Sequence, residues 1–453
     1  MPLLGNLPAY RRDHLAVFRG GYARLGPVFS IKLGPQRAVV LIGPQLHRFF
    51  FTEVDRTLSM PELYRFVVPM FGPVLNAAED VTTRRAQLEL LHSAFRGERL
   101  SVHVDVMARE TAAWIDGLGV AGEFELYEEL SRLTMNVAAA ALIGWEVRAR
   151  MDEFTPLFED LARGMDFVLP PNLPLPRFRR RDRARVELTK MIRPVIGARR
   201  ANPDAHDDFL QVIVNESVAG SLVDDETAVG LALATLFTGY LTTAAQASWV
   251  LVQLLQHPQW LKRVIDELDQ QLGGDPRAID RHALGKLEVL DRAIKESQRM
   301  HPVMSHYARY NRQGYEIAGY DVPAGWMTMV CPAVAHRLPE VFPDPDRYDP
   351  DRFGPGRQGE WKHPYALIGF SAGVYRCPGA GFGVAEIKCI VATLLLRLEL
   401  TLRRLAPAAA FDMGVVRPAP PCPIAYRRRS AKSGAIGFVA QAIRRSNGDD
   451  DGE

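Results

Sequence analysis

The sequence predicts a mainly α-helical fold with a minor β region, and three observations predict it. Residues 228–256 form 29 consecutive positions without a charged side chain. Apolar residues recur with helical spacing over most of the stretch from Thr82 to Met300. Alternating apolar and polar residues, the strand pattern, are confined to a segment near the N-terminus and to His306–Val330.

The elements follow in order. Val28–Leu33 and Ala38–Ile42 read as a strand pair around the turn Gly34-Pro35. Thr82 to Ile143 reads as helix, broken near Arg96-Gly97 and across Gly117–Gly122. Pro170–Pro176 is a proline-rich break, followed by Arg177, Arg179, Arg180, Arg181, Arg183 and Arg185. That basic run reads as a solvated helix start, or as a face for an acidic redox partner or a membrane surface. The uncharged stretch is long enough to span a bilayer, which needs ~20 residues. Thr238, Thr242, Thr243, Gln246 and Gln253 interrupt it, Asp224, Asp225 and Glu226 precede it, and Pro258 ends it. A buried central helix is therefore expected rather than a membrane span. Gln259–Leu272 and Asp280–Met300 read as amphipathic helices, Pro332–Arg352 as irregular chain, and Gly379 to Leu398 as a last helix.

With 453 residues, 47% of them hydrophobic and 24% charged, the chain has ample material for a large core. No Gly/Ser-rich linker divides it, so residues 1–430 are expected to form one domain and residues 431–453, ending in NGDDDGE, a flexible tail. A net charge of +2 gives no reason to expect a nucleic-acid partner. The four cysteines, Cys331, Cys377, Cys389 and Cys422, have neither disulfide-framework nor zinc spacing. The N-terminal segment lacks an apolar run for a signal peptide or anchor, so the expectation is a cytoplasmic monomer without a membrane anchor.

The segment Phe370-Ser-Ala-Gly373-Val-Tyr375-Arg376-Cys377-Pro-Gly379 carries the chemistry. Glycines four before and two after the cysteine permit a tight turn with positive φ and close approach of the backbone to a flat ligand. The helix expected just after it would turn its N-terminal N–H groups to the sulfur and favour thiolate. A thiolate on haem iron pushes electron density onto the metal and favours O–O cleavage. The segment resembles the haem-binding loop of the cytochrome P-450 monooxygenases. That resemblance implies heme b with Cys377 as the axial ligand of the iron, and Phe370, Gly373, Tyr375 and Gly379 around it.

Further matches extend the resemblance over most of the chain. Glu296-Ser-Gln-Arg299 resembles the family's Glu-x-x-Arg, and Arg352 its third partner, which implies a structural ion network. Arg309 stands where the family pairs an arginine with a haem propionate. The uncharged helix resembles the oxygen-binding helix. Gly239 would leave room for dioxygen, Thr242 would be the proton-relay hydroxyl, and Thr243 would assist it. Tyr64 through Gly72 and Leu91 through Glu98 resemble segments of the sterol 14α-demethylases, which implies Tyr64 at a haem propionate and Phe66 and Phe71 against substrate. Phe237, Leu241 and Met304 complete the expected apolar pocket.

Two positions depart from the family pattern. Tyr375 stands where His or Arg usually meets a propionate. The replacement cation is expected from Arg84 or Arg85, at the start of a helix, and the sequence does not choose between them. Leu241 stands where an acid, or histidine in the sterol demethylases, usually precedes the threonine. Leucine cannot donate a proton, a contribution typically worth ~10²–10⁴ in rate. The expected function is oxidation of a large apolar terpenoid, steroid-like or other specialised metabolite, using dioxygen and two electrons from a ferredoxin or flavodoxin with an NAD(P)H-dependent reductase. The alternatives are peroxide-driven oxidation, rearrangement, desaturation or C–C coupling, or sterol 14α-demethylation.

Overall fold

The uncharged stretch folds as one helix, Asp225–Gln256, in the computed structural model of the chain, which describes residues 4–166, 169–218, 221–357, 363–404 and 407–429. At 1.5 Å per residue it is about 48 Å long. Asp224 caps it, its carboxylate accepting from Thr227 N at 2.8 Å. One helix of the described residues is thus long and apolar enough to cross a membrane, and it lies inside the protein. The expected tail, residues 431–453, lies outside the described residues.

Helix Leu126–Ala138 packs along the central helix. Helices Pro176–Ala201, Glu288–Met300 and Ala380–Arg397 and strand Val415–Pro418 cover its other sides. The main apolar core runs through these contacts and draws residues from Met70 to Ile424. Amphipathic periodicity in the surrounding helices supplies the facing apolar stripes.

Among the described residues the β region is a five-stranded sheet, a three-stranded sheet and three two-stranded ones. Val28–Leu33 pairs antiparallel with Gln36–Leu41, in the register Val28 opposite Leu41. Met327–Val330 adds parallel to the second strand, Tyr307–Asn311 antiparallel to that, and Leu58–Ser59 closes the edge. The second sheet orders Leu398–Leu402, Pro423–Arg428 and Ala121–Glu125.

Three local expectations change. The break at Gly117–Gly122 contains the start of strand Ala121–Glu125, whose partner is some 300 residues away. Gly122 is needed there because an added Cβ would lie 2.7 Å from the Tyr426 hydroxyl. The single helix expected over Asp280–Met300 divides into Arg281–Lys286 and Glu288–Met300. The second piece is capped from outside: Glu267 accepts from Val289 N at 2.7 Å and from Leu290 N at 3.0 Å. Finally, the basic run is not wholly solvated. Arg181 and Arg185 are buried, donating to the Pro171 carbonyl at 2.8 Å and to Glu226 at 2.6 Å, whereas Arg179, Arg180 and Arg183 stay exposed.

Candidate functional site

The cysteine loop is held from three sides. The Cys377 N–H donates to the Phe370 carbonyl at 2.9 Å and closes the turn. Tyr307, from strand Tyr307–Asn311 of the five-stranded sheet, threads it: its hydroxyl accepts from Ser371 N at 3.2 Å and donates to the Gly369 carbonyl at 3.0 Å. Gly373 has φ +65°, and an added Cβ would lie 3.0 Å from the Phe51 carbonyl oxygen. Gly379 does not share that conformation. Its φ is −83°, and its Cβ position lies 3.9 Å from Cys377 Sγ, so glycine keeps space beside the sulfur rather than allowing a left-handed turn.

Helix Ala380–Arg397 starts just past the cysteine, as the sequence predicts. Its effect on the thiol is smaller than expected. Burial pushes the Cys377 thiol up, and the Gly379 N–H and Arg376 pull it down only in part. A thiolate here calls for a cation on the sulfur itself, the charge a coordinated metal supplies.

The central helix exposes one small arc. Between Ala228 and Leu254 every residue is buried except Thr238, Gly239 and Thr242. These three fall within about 100° of each other on the helix. A Cβ added at Gly239 would meet nothing within 4 Å. Solvent-sized space at the middle of a core helix means an internal void. A cysteine only partly accessible in its loop and a polar, side-chain-poor helix face fit a flat macrocycle such as haem.

Thr242 Oγ1 donates to the Thr238 carbonyl at 2.7 Å. Thr243 is one residue, hence 100°, further round and turns away from the void. It meets Glu386 of the last helix, and a Cβ at Gly383 would lie 3.7 Å from its hydroxyl. Glu386 is buried with one carboxyl oxygen unpartnered, and burial pushes its carboxyl well above the usual range. Leu241 is buried in the main core, as are Phe71 and Phe237, whose rings face each other at 5.4 Å. Phe66 and Met304 are half-buried, and Phe66 stacks on Tyr64 at 6.0 Å.

The charged groups at the edge of the loop separate into two kinds. Arg309 is buried, its Nε has no partner, and its guanidinium lies 4.7 Å over the Phe50 ring and 5.9 Å from the Tyr375 ring. Burial pulls its pKa down, with Tyr64 and Tyr375 opposing. Arg84, rather than Arg85, reaches Tyr375: its Nε donates to the phenol oxygen at 2.7 Å. Arg85 is half-exposed and makes one 3.1 Å contact to Asp55. The reason is helix geometry, since adjacent residues on Val81–Ala94 face in different directions.

The Glu296–Arg299 pair is fully buried. Arg299 Nε and Nη2 reach the two carboxylate oxygens at 2.7 and 2.8 Å, and Arg352 Nε lies 3.6 Å from Glu296. The arginines spend their other donors on the carbonyls of His336, Pro343, Asp344 and Pro345. His336 Nε2 in turn accepts from Ile368 N at 3.1 Å, so the network reaches the cysteine loop. Sequence reasoning missed Asp55, Tyr307, His336 and Glu386. No local spacing marks them, and Asp55 and Tyr375 stand 320 positions apart.

Comparisons with known proteins agree on one relationship. The family description Cytochrome P450 matches residues 1–424. A sterol 14alpha-demethylase of Mycolicibacterium vanbaalenii is 34% identical over 436 residues, 94% of this chain and 96% of that protein. A sterol 14-demethylase of Arabidopsis thaliana is 33% identical over 438 residues, 94% of this chain and 90% of the relative. The solved structure of a retinoic acid-bound cyanobacterial protein, CYP120A1, superposes with a TM-score of 0.85 at 24% identity, covering 95% of this chain and 98% of that one.

Proposed function

The chain belongs to the cytochrome P450 family of haem-thiolate monooxygenases, and from that premise we propose that it oxidises a large, rigid, polycyclic apolar substrate of the sterol or triterpenoid class. The Cys377 loop and the accessible Thr238–Thr242 arc of an otherwise buried helix carry the reading for the reaction. For the substrate class, the support is similarity over more than nine-tenths of the chain to proteins named as sterol 14-demethylases. That support moves the expectation from a specialised metabolite toward a sterol-like one, with 14-demethylation as the first reaction to try.

When bound, haem supplies the activation of dioxygen and the oxidation of a C–H bond, with the thiolate's electron push favouring O–O cleavage. The chain's own residues do the rest. Cys377 anchors the iron, and the Gly379 N–H and the start of the last helix temper the charge on its sulfur. Tyr307 and the closed turn fix the direction from which that sulfur approaches. Gly239 keeps the opposite face clear. The Thr242 hydroxyl, held on the Thr238 carbonyl, has its oxygen left to accept a hydrogen bond from water, and it relays a proton only by rotating its own O–H off that carbonyl toward the acceptor as it takes one from the water. Leu241 gives this relay no side-chain acid. Electrons come from a small ferredoxin or flavodoxin served by an NAD(P)H-dependent reductase. Exposed Val374 and Arg376 beside the cysteine offer it an apolar and cationic seat.

Spin-state titration of the haem-loaded protein tests the substrate class. Sterols bearing a 14α-methyl group and non-sterol triterpenoids are expected to shift the Soret band, whereas monoterpenoids are not. Turnover with NADPH, a ferredoxin and its reductase should then give an oxygenated product. Shifts only with small ligands, or turnover with peroxide but not with NADPH and dioxygen, overturn the reading.

A further inference from the structure

Tyr375, Asp55 and Arg84 close a three-membered ring beside the cysteine loop. The Tyr375 hydroxyl donates to Asp55 Oδ2 at 2.7 Å. Arg84 Nε donates to the same hydroxyl at 2.7 Å, and Arg84 Nη2 reaches Asp55 Oδ1 at 2.7 Å. Arg84 Nη1 donates to the Ala78 carbonyl. Each guanidinium nitrogen of Arg84 is thereby engaged. Both charged side chains are nearly inaccessible, at 1% and 4% exposure, so solvent screens their pairing little. Asp55 holds φ +70°, a left-handed conformation that aspartate tolerates but that has a strain cost. Against burial, which raises it, the hydrogen bonds from Tyr375 and Arg84 keep the Asp55 carboxyl below its usual value, so it is an anion.

Arg309 contrasts with this. It is equally buried, no carboxylate pairs with it among the described residues, and its Nε has no partner at all. A buried guanidinium left open is costly unless an anion meets it.

We propose that Asp55 is the counter-charge that withholds Arg84 from the haem carboxylates, leaving Arg309 as their single guanidinium and lowering the electrostatic pull of this edge on an electron at the iron. Tyr375 is the positioning residue that locks the pair. A cation at position 375 would leave Arg84 competing for Asp55; the neutral phenol both accepts from Arg84 and donates to Asp55. Among the described residues the site thus carries one buried guanidinium matched by Asp55, which also meets the exposed Arg85, and one buried guanidinium that no carboxylate matches, which sets a lower reduction potential than two unmatched buried guanidinium groups would set. The inference rests on haem occupying the proposed site.

Potentiometric titration and haem transfer to apomyoglobin test it in the haem-loaded protein. Asp55→Asn frees Arg84 and is expected to move the midpoint potential positive. Arg84→Gln alone uncovers the Asp55 anion and is expected to move it negative, and Asp55→Asn with Arg84→Gln to return it near wild type. Arg309→Leu should speed haem loss, and Arg84→Gln should not. An unchanged potential in Asp55→Asn, or Arg84→Gln losing haem as fast as Arg309→Leu, overturns the proposal. Tyr375→Phe keeps both charges and checks that a shift follows charge rather than a disturbed loop: its potential should stay near wild type. Absence of a thiolate-type spectrum in the wild type defeats the functional reading instead, so the two failures are distinguishable.

Discussion

At the scale of single residues, Cys377 and the arc on the central helix make the sharpest predictions. Cys377→Ser should abolish the Soret band near ~450 nm of the reduced, carbon monoxide-bound protein, because that band follows axial thiolate ligation. Circular dichroism should show the fold retained. Thr242→Ala removes one of the two hydroxyls on the accessible arc, the one assigned to the proton relay, and leaves Thr238. Product formed per NADPH consumed should fall, by ~10² or more in the coupled rate, with substrate binding intact by spin shift. Thr243→Ala should affect coupling far less, because that hydroxyl is buried against Glu386 rather than on the accessible arc. At Gly239 the void is open to a new side chain, so Gly239→Phe should fold normally and lose the substrate-induced spin shift. Cys377 and Thr242 were legible because loop glycines and helix context mark them. Asp55 and Tyr307 were not, because an aspartate before a turn and a tyrosine in a strand carry no local sign of a distant partner.

At the scale of elements, the irregular chain from His336 to Arg352 is held by arginine donors on backbone carbonyls rather than by a ladder of its own. That is why composition read it as irregular and could not read it as fixed. Glu296→Gln leaves two buried guanidinium groups without their carboxylate. Breaking a buried ion pair costs about 3–5 kcal/mol, so loss of haem retention and a clearly lowered melting temperature are expected by calorimetry. Glu267 acts similarly one helix away. Its two hydrogen bonds cap Glu288–Met300 from outside, which the periodicity of Asp280–Met300 gave no means to foresee.

At the scale of the whole molecule, buried neutral histidines set the acid limit. Burial pulls His47 and His103 down to about 4 and His301 and His306 to about 3, and His336 also lies well below its usual value. The folded state keeps them neutral while the unfolded chain binds protons below about 6.5. Stability is therefore full above that pH and is lost as pH falls toward the folded values. At pH 5, His47 and His103 each remove on the order of 2 kcal/mol, from a total that is typically 5–15 kcal/mol. Acid unfolding followed by circular dichroism should have its midpoint above pH 4. A midpoint below 3 would contradict this account.

The sequence alone determined the mainly α fold, the buried central helix, the strand pair at Val28–Leu41 and the cysteine loop. Each is written in local chemistry: periodicity, charge-free length, glycine spacing. The tertiary structure decided the remainder. It turned Thr242 rather than Thr243 to the void, split the helix at Leu287 and put a strand where only a break was visible. It also tied Arg84 to Asp55 through Tyr375. These depend on which distant group arrives opposite a side chain, and a buried donor or acceptor is satisfied by whatever arrives there, however far away it lies along the chain.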